Sequence, residues 1–388
     1  MPPLVRFATR IFPPEVAAAA FREGLLAEAL AAQGARVEVL TTTPPASAGP
    51  VHDGAARVRR CPALRDENDN IRGYLQYLSY DLPLAFRALL RSRPDLWVVE
   101  PPPTTGAVMR LVTAVQRRPY AWYAADIWSD AAGSAGASPA LVRALRRVEI
   151  HVLRNALVVL SISTAVTERL TALGVPAARI VTVGNGVDTS VFTPDGPAHA
   201  SVEPYFVYTG TMSEWQGAGV FIEALAAHRA AGGHHRVVFL GQGSELPALR
   251  KLAAAAAPDA VDFLGVRPPE ECARYLRGAS AALVSIRPGL GYDFAVPTKI
   301  YAAAGCGTSV IFAGTGAGAE LVARAELGTA ADYDVAAVCA AMGSSAAGLL
   351  DVSLRRRRAE WVRANASLAV RASDAARAVL RAVAERAA

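Results

Sequence analysis

Residues 295–314, AVPTKIYAAAGCGTSVIFAG, read as the closing half of a strand–helix–strand unit. Pro297 fixes the backbone for a first helical turn, a run of small residues continues the helix, and GCG stops it before the strand SVIFA. Lys299 falls in the first turn, the end where the helix dipole favours anions and disfavours cations. Two readings are open. Lys299 is a solvated surface lysine, or its ammonium joins the free backbone N–H groups of that turn around a bound anion.

The same rhythm runs upstream. YFVYTG, HRVVFLG, VDFLG and SAALVSI read as strands, separated by VFIEALAAHRAAG, ELPALRKLAAAAA and PPEECARYLRGA as helices. A similar series fills the N-terminal half, from VRFATRI and the helix PEVAAAAFREGLLAEALAAQG through RVEVLTTT, DLWVVE, YAWYAAD and LVVLSIS. Strands alternating with helices predict parallel sheets covered on both faces. Between the halves, residues 185–203 are rich in Gly, Pro, Ser and Asp and read as a linker. At 388 residues two domains are expected. Residues 1–190 and 191–370 would be two facing Rossmann-like domains of an α/β protein, with a ligand in the deep cleft between them, and 371–388 a C-terminal helix that returns to the first.

Composition excludes several classes. No apolar run reaches the roughly 18 residues of a membrane-spanning helix, and the N-terminus lacks a signal-peptide layout. Cys61, Cys272, Cys306 and Cys339 show no metal-ligand or disulfide spacing, which suggests a reduced, cytoplasmic protein. The net charge of +6 comes without aromatic–basic interleaving, so no nucleic-acid partner is expected. It suits small anionic ligands or an anionic membrane surface. The helix with Arg143, Arg146, Arg147, His151 and Arg154 has a basic face fit for such lipid, or for plain solvent. The run RRRR at 355–358 reads as a solvated helix face.

In order along the chain, RIVTVGNGVDTSVF, YTGTMSEWQGAGVFIEAL, FLGQGSELPAL and VDFLGVRPPEECARYL resemble successive blocks of the retaining GT-B glycosyltransferases of family four. NIRGYLQYLSYDLPLAF, RPDLWVVEPPP, AADIWSD, LRRVEIHVLRNALVVLSIS and PTKIYAAAGCGTSV are similar to its bacterial exopolysaccharide and O-antigen subgroup, of colanic-acid type. The resemblance covers roughly residues 4–385. It implies the GT-B fold, a UDP- or GDP-type sugar donor, no cofactor and no metal. The acceptor would be a lipid-linked saccharide in cell-surface polysaccharide or glycolipid assembly, at the inner face of the cell membrane, or a small-molecule aglycone. A non-catalytic nucleotide-sugar-binding subunit is the rival, because the chain departs from the family pattern. Phe294 and Ala302 stand where two donor-contacting glutamates are usual, Ser213 and Gln216 where an Arg–Lys diphosphate clamp is usual, and alanines near 17–19 where a Gly-Gly pair is usual.

With that clamp missing, the resemblance directs the donor diphosphate to Pro297, Thr298 and Lys299 at the helix start, with Arg287 as a second positive partner. Gly210 and Gly241 end strands where a ligand can approach the backbone closely. Gly243 is equally a plain turn. Thr211, Gln216 and Gly217 form a loop on the phosphate side. Tyr301 either packs or binds. Asp293 either replaces a missing glutamate on a sugar hydroxyl or sits in an exposed turn. Asp126 is the other catalytic candidate, facing the reacting sugar, with Trp128 as an acceptor platform; a structural pair is the alternative. Asn185, Gly186 and Asp188 suit a hinge, since Asn and Gly tolerate positive φ and Asp caps turns.

Overall fold

In the computed structural model, the described residues are 2–345 and 351–387, apart from 16, 49, 52, 53, 68, 72, 135 and 136. They divide into two compact units. Met1–Asn185 with Leu368–Ala388 form the first, and Gly186–Ser367 the second.

The first unit holds a seven-stranded parallel sheet in the order β3-β2-β1-β4-β5-β6-β7. Its strands are β1 Leu4–Ala8, β2 Arg36–Thr42, β3 Arg57–Cys61, β4 Leu96–Val99, β5 Tyr120–Ala124, β6 Val158–Ser161 and β7 Ile180–Thr182. Its helices are α1 Ala18–Ala32, α2 Tyr74–Leu89, α3 Pro103–Gln116, α4 Trp128–Ser134, α5 Pro139–Asn155 and α6 Thr164–Ala172. The chain's last helix also belongs here. Strand β4 shows why the sheet is covered twice: all four residues are buried. Leu96 and Val98 enter one core with α1, while Trp97 and Val99 enter another with α2, α3 and α5.

The second unit repeats the plan with six parallel strands, β10-β9-β8-β11-β12-β13. They are β8 Tyr205–Thr209, β9 Arg236–Leu240, β10 Val261–Gly265, β11 Ala281–Ser285, β12 Val310–Ala313 and β13 Gly328–Ala331. The helices are α7 Gly219–Ala230, α8 Leu246–Ala256, α9 Pro269–Gly278, α10 Thr298–Gly305, α11 Ala317–Arg324, α12 Val335–Ser345 and α13 Val352–Asn365. Helix α14, Leu368–Ala387, follows and puts Ala375, Ala376 and Val379 into the first unit's core. In each sheet the order reverses beside its first strand, which creates a crevice at the carboxyl ends.

The segment read as a linker contains the boundary between the units, and its later residues are laid against the second unit. Arg277 donates to the Pro197 and Thr193 carbonyls at 2.9 and 3.2 Å, and the His199 ring stacks on Tyr275 at 4.1 Å. Its glycines and prolines suppress regular structure, but its carbonyls still find donors. The RRRR run, read as a solvated face, is not uniformly solvated. Arg355 donates to the carbonyls of Arg277 and Cys306, and Arg358 to that of Gly307. These carbonyls close α9 and α10, where a helix C-terminus favours cations.

Candidate active site

In the second unit, the crevice lies between the carboxyl ends of β8 and β11. Gly210 follows β8 at φ +97°, and its N–H donates to the Leu240 carbonyl at 2.7 Å. Tyr208, buried two residues earlier, directs its hydroxyl to the Thr211 carbonyl at 2.8 Å and the Gln216 Oε1 at 3.0 Å. That Oε1 also accepts from the Ser213 N–H at 3.3 Å, so the Gln216 carbonyl braces the loop from inside. Gly217, at φ +60°, ends the loop, and its carbonyl accepts from the Tyr333 hydroxyl at 2.7 Å.

Helix α10 brings Lys299 to this loop. The Lys299 Nζ donates to the Thr211 carbonyl at 2.9 Å and lies 3.7 Å from the centroid of the Tyr208 ring. Among the described residues no carboxylate pairs with it. Burial holds its pKa well below the ordinary lysine range. Arg287, after β11, donates its backbone N–H to the Trp215 carbonyl at 2.8 Å, and its side chain is exposed. Pro297 precedes α10 and Thr298 begins it; no side chain caps this end. A half-buried ammonium, an exposed guanidinium and an uncapped helix start therefore meet at one crevice. This is chemistry suited to a dianionic ligand.

Other expected residues do different work. Gly241 and Gly243 are required by the fold itself: a Cβ on either would overlap the carbonyl oxygen of Gly210 or Met212. Tyr301 packs its ring parallel to Trp361 at 6.4 Å. The Asp293 carbonyl accepts from the Ala317 N–H at 2.9 Å, and its Oδ1 lies 3.4 Å from the Thr315 hydroxyl, which ties it to the start of α11. Asp188 is a turn former, its Oδ1 accepting from the Ser190 N–H and hydroxyl at 2.9 and 2.6 Å. Asn185 and Gly186 are the last residue of one unit and the first of the next. Among the described residues no cluster of three or more His, Cys, Asp or Glu could hold a metal.

The first unit has a crevice of its own. At its base the Glu100 carboxylate accepts from Arg22 at 3.1 Å and from the Thr9 hydroxyl at 3.0 Å. Arg22 also lies over the Tyr123 ring. Glu23 is fully buried, with neither side-chain oxygen hydrogen-bonded. Burial, then repulsion from Glu100, push its pKa well up. Asp126 stands at the surface just past β5. Desolvation by neighbouring groups pushes its carboxyl pKa up from the usual aspartate value; Arg22 opposes that shift, and Glu100 and Glu149 add repulsion. Trp128 begins α4 and meets Tyr77 edge-on at 6.1 Å. The buried Glu149 of α5 receives the Trp128 and Ser129 N–H groups at 2.7 and 3.0 Å, capping α4.

Sequence reasoning did not find Tyr208, Tyr333, Glu23, Glu100 or Glu149. An acidic residue directly after a buried strand, as at Glu100, was the one available signal.

Comparison with known proteins bears on the fold and the domains that carry these residues. Residues 22–186 match the glycosyl transferase 4-like domain, and residues 203–347 match the glycosyl transferases group 1 domain. The chain is a glycosyltransferase of GT-B architecture, built from two Rossmann-like units. No curated protein matches it. Among solved structures it is similar to sucrose-phosphate synthase from Thermosynechococcus elongatus, at 19% identity and a TM-score of 0.74, covering 99% of this chain and 100% of that one. It is also similar to HepE of Anabaena in complex with UDP and glucose, at 15% and 0.70, covering 98% and 99%. WaaG, a glycosyltransferase involved in lipopolysaccharide biosynthesis, aligns at 13% and 0.70, covering 96% and 98%.

Proposed function

We propose that the protein moves a sugar from a nucleotide diphosphate donor to an acceptor hydroxyl with retention of configuration and without a metal. One observation carries the reading: the Lys299 ammonium, held at the crevice by a carbonyl and a ring, has no carboxylate partner among the described residues. A diphosphate supplies the missing negative charge, and Arg287 supports it from β11. The UDP and UDP-glucose bound in the HepE structures favour a uridine nucleotide. During transfer the bond from the anomeric carbon to the phosphate oxygen breaks and an oxocarbenium-like sugar develops. The acceptor oxygen bonds on the same face, and its proton passes to the departing phosphate. Lys299 and Arg287 stabilise the charge on that phosphate. Asp126 faces the sugar in this scheme.

The acceptor we propose is a lipid-linked saccharide of cell-surface polysaccharide or glycolipid assembly, at the cytoplasmic face of the membrane. A panel of UDP- and GDP-sugars, read by thermal stabilisation and then by transfer in EDTA, tests the proposal. Binding with transfer in EDTA is the expected outcome; a strict need for added manganese or magnesium would overturn the metal-free mechanism. A second reading, a binding subunit without turnover, is favoured by Ala302 lying buried in α10 and Phe294 being exposed, where glutamates would reach a donor. Donor binding without hydrolysis or transfer would select it.

A further inference from the structure

The second of the first unit's cores is roofed by α2, α3 and α5, with α3 packed against both neighbours. A surface helix ordinarily turns polar residues outward. Helix α2 does not. Tyr80, Leu84 and Ala88 face the core, yet Leu75, Leu78, Leu82, Phe86 and Leu89 are also exposed, spaced three and four apart along one outer stripe. Phe86 is 69% exposed and Leu75 71%. On α3, Leu111 and Val115 are exposed one turn apart.

The exposed charges on these three helices have a single sign. The three helices contain only two carboxylates, Asp81 and Glu149, and both are buried. Asp81 accepts from the Thr105 hydroxyl, and Glu149 caps α4. On α5, Arg143, Arg147 and His151 are exposed, and the exposed Arg117 follows α3 directly, while Arg118 pairs with Asp95 and Arg146 with Asp130. The outer surface thus runs from an apolar stripe to a basic flank with no exposed acid on its helices.

We propose that this α2–α3–α5 face docks on an anionic lipid bilayer, with α2 entering the interfacial region and the arginines of α5 meeting the headgroups. A second copy of the chain would cover the apolar stripe but would set like charges together at its flank, whereas anionic lipid complements both. The docking inference stands apart from the proposed reaction; only its use, bringing a lipid-linked acceptor to the enzyme, rests on that reading.

Co-sedimentation of the full chain with vesicles of phosphatidylglycerol and phosphatidylcholine, against phosphatidylcholine alone, tests it. Wild type should bind the anionic vesicles, less so as salt rises. Withdrawing one buried leucine-sized group costs roughly a tenfold or greater loss in partitioning, so Leu82→Ser with Phe86→Ser should lose at least that. Arg143→Glu with Arg147→Glu should abolish the preference for anionic lipid. Thermal melting should show both variants folded, since all four side chains are solvent-facing. Transfer to a water-soluble acceptor should be unchanged. The proposal fails if wild type ignores anionic vesicles or if neither variant alters binding. It also fails if sedimentation shows a dimer that Phe86→Ser dissociates while lipid binding stays absent.

Discussion

At the carboxyl ends of β8 and β11 the second unit sets the ammonium of Lys299 and the guanidinium of Arg287. At the same ends of β1 and β4 the first unit sets Glu100, Arg22 and the unpartnered Glu23, with Asp126 after β5. The two sheets share one strand order up to their sixth strand, so topology places both crevices and leaves their chemistry to side chains. One edge carries cations. The other carries carboxyls, of which Glu23 and Glu100 are buried and Asp126 is exposed.

The largest expected effect tests the acidic edge. Asp126→Asn should lower kcat by about a hundredfold or more while changing donor Kd little, if the carboxylate acts mainly in the transition state. Steady-state kinetics beside calorimetric donor titration measure both, and equal kinetics for the variant would make Asp126 structural.

Next comes a test of what the glycines do. Gly241→Ala should destabilise the fold by about 2–4 kcal/mol, because φ is +138° and the new Cβ meets the Gly210 carbonyl. Denaturant titration should show a lower midpoint. A variant of normal stability that loses only donor binding would return Gly241 to the ligand.

The basic edge is tested by Lys299→Met, which keeps most of the stem over Tyr208 and removes the charge. Affinity for a nucleoside diphosphate should fall about ten- to a hundredfold, from the loss of a charge-assisted bond of roughly 1.5–3 kcal/mol. The bare nucleoside should bind both proteins alike. Equal losses for both ligands would mean that Lys299 only holds the Thr211 loop.

The smallest effect is a proton linkage. The depressed Lys299 pKa means that the free site holds its proton weakly, and a bound dianion would raise that pKa. Binding should therefore take up a proton, and donor affinity should decline as pH rises through the depressed value. Titrations in buffers of different ionisation enthalpy would reveal the uptake; affinity that rises with pH would contradict it.

The strand–helix alternation was legible because β4 and β5 are short runs buried on both faces, which leaves little choice of element. Lys299 was legible as an oddity, a cation at the wrong end of a helix. Its support was not. Tyr208 occupies a buried strand and looks like any core aromatic, and only the return of the loop shows its hydroxyl under Thr211. The family pattern points to Gln216 as a ligand residue, yet its side-chain carbonyl is occupied by Tyr208 and Ser213. The outer stripe of α2 was invisible for a different reason: apolar residues at helical spacing signal a buried face, and sequence does not say that the helix has a second one.

Glu149 gives α4 a mechanical dependence on α5. Two N–H groups of α4 rest on one carboxylate of the longer helix, and Asp126 lies two residues before the first of them. Arg146 of α5 adds a second tie, pairing with Asp130 of α4 at 3.0 Å. Glu149 and Arg146 are thus linkages in the machinist's sense: the start of α4, and the loop carrying Asp126 just before it, are seated on α5 and share its position.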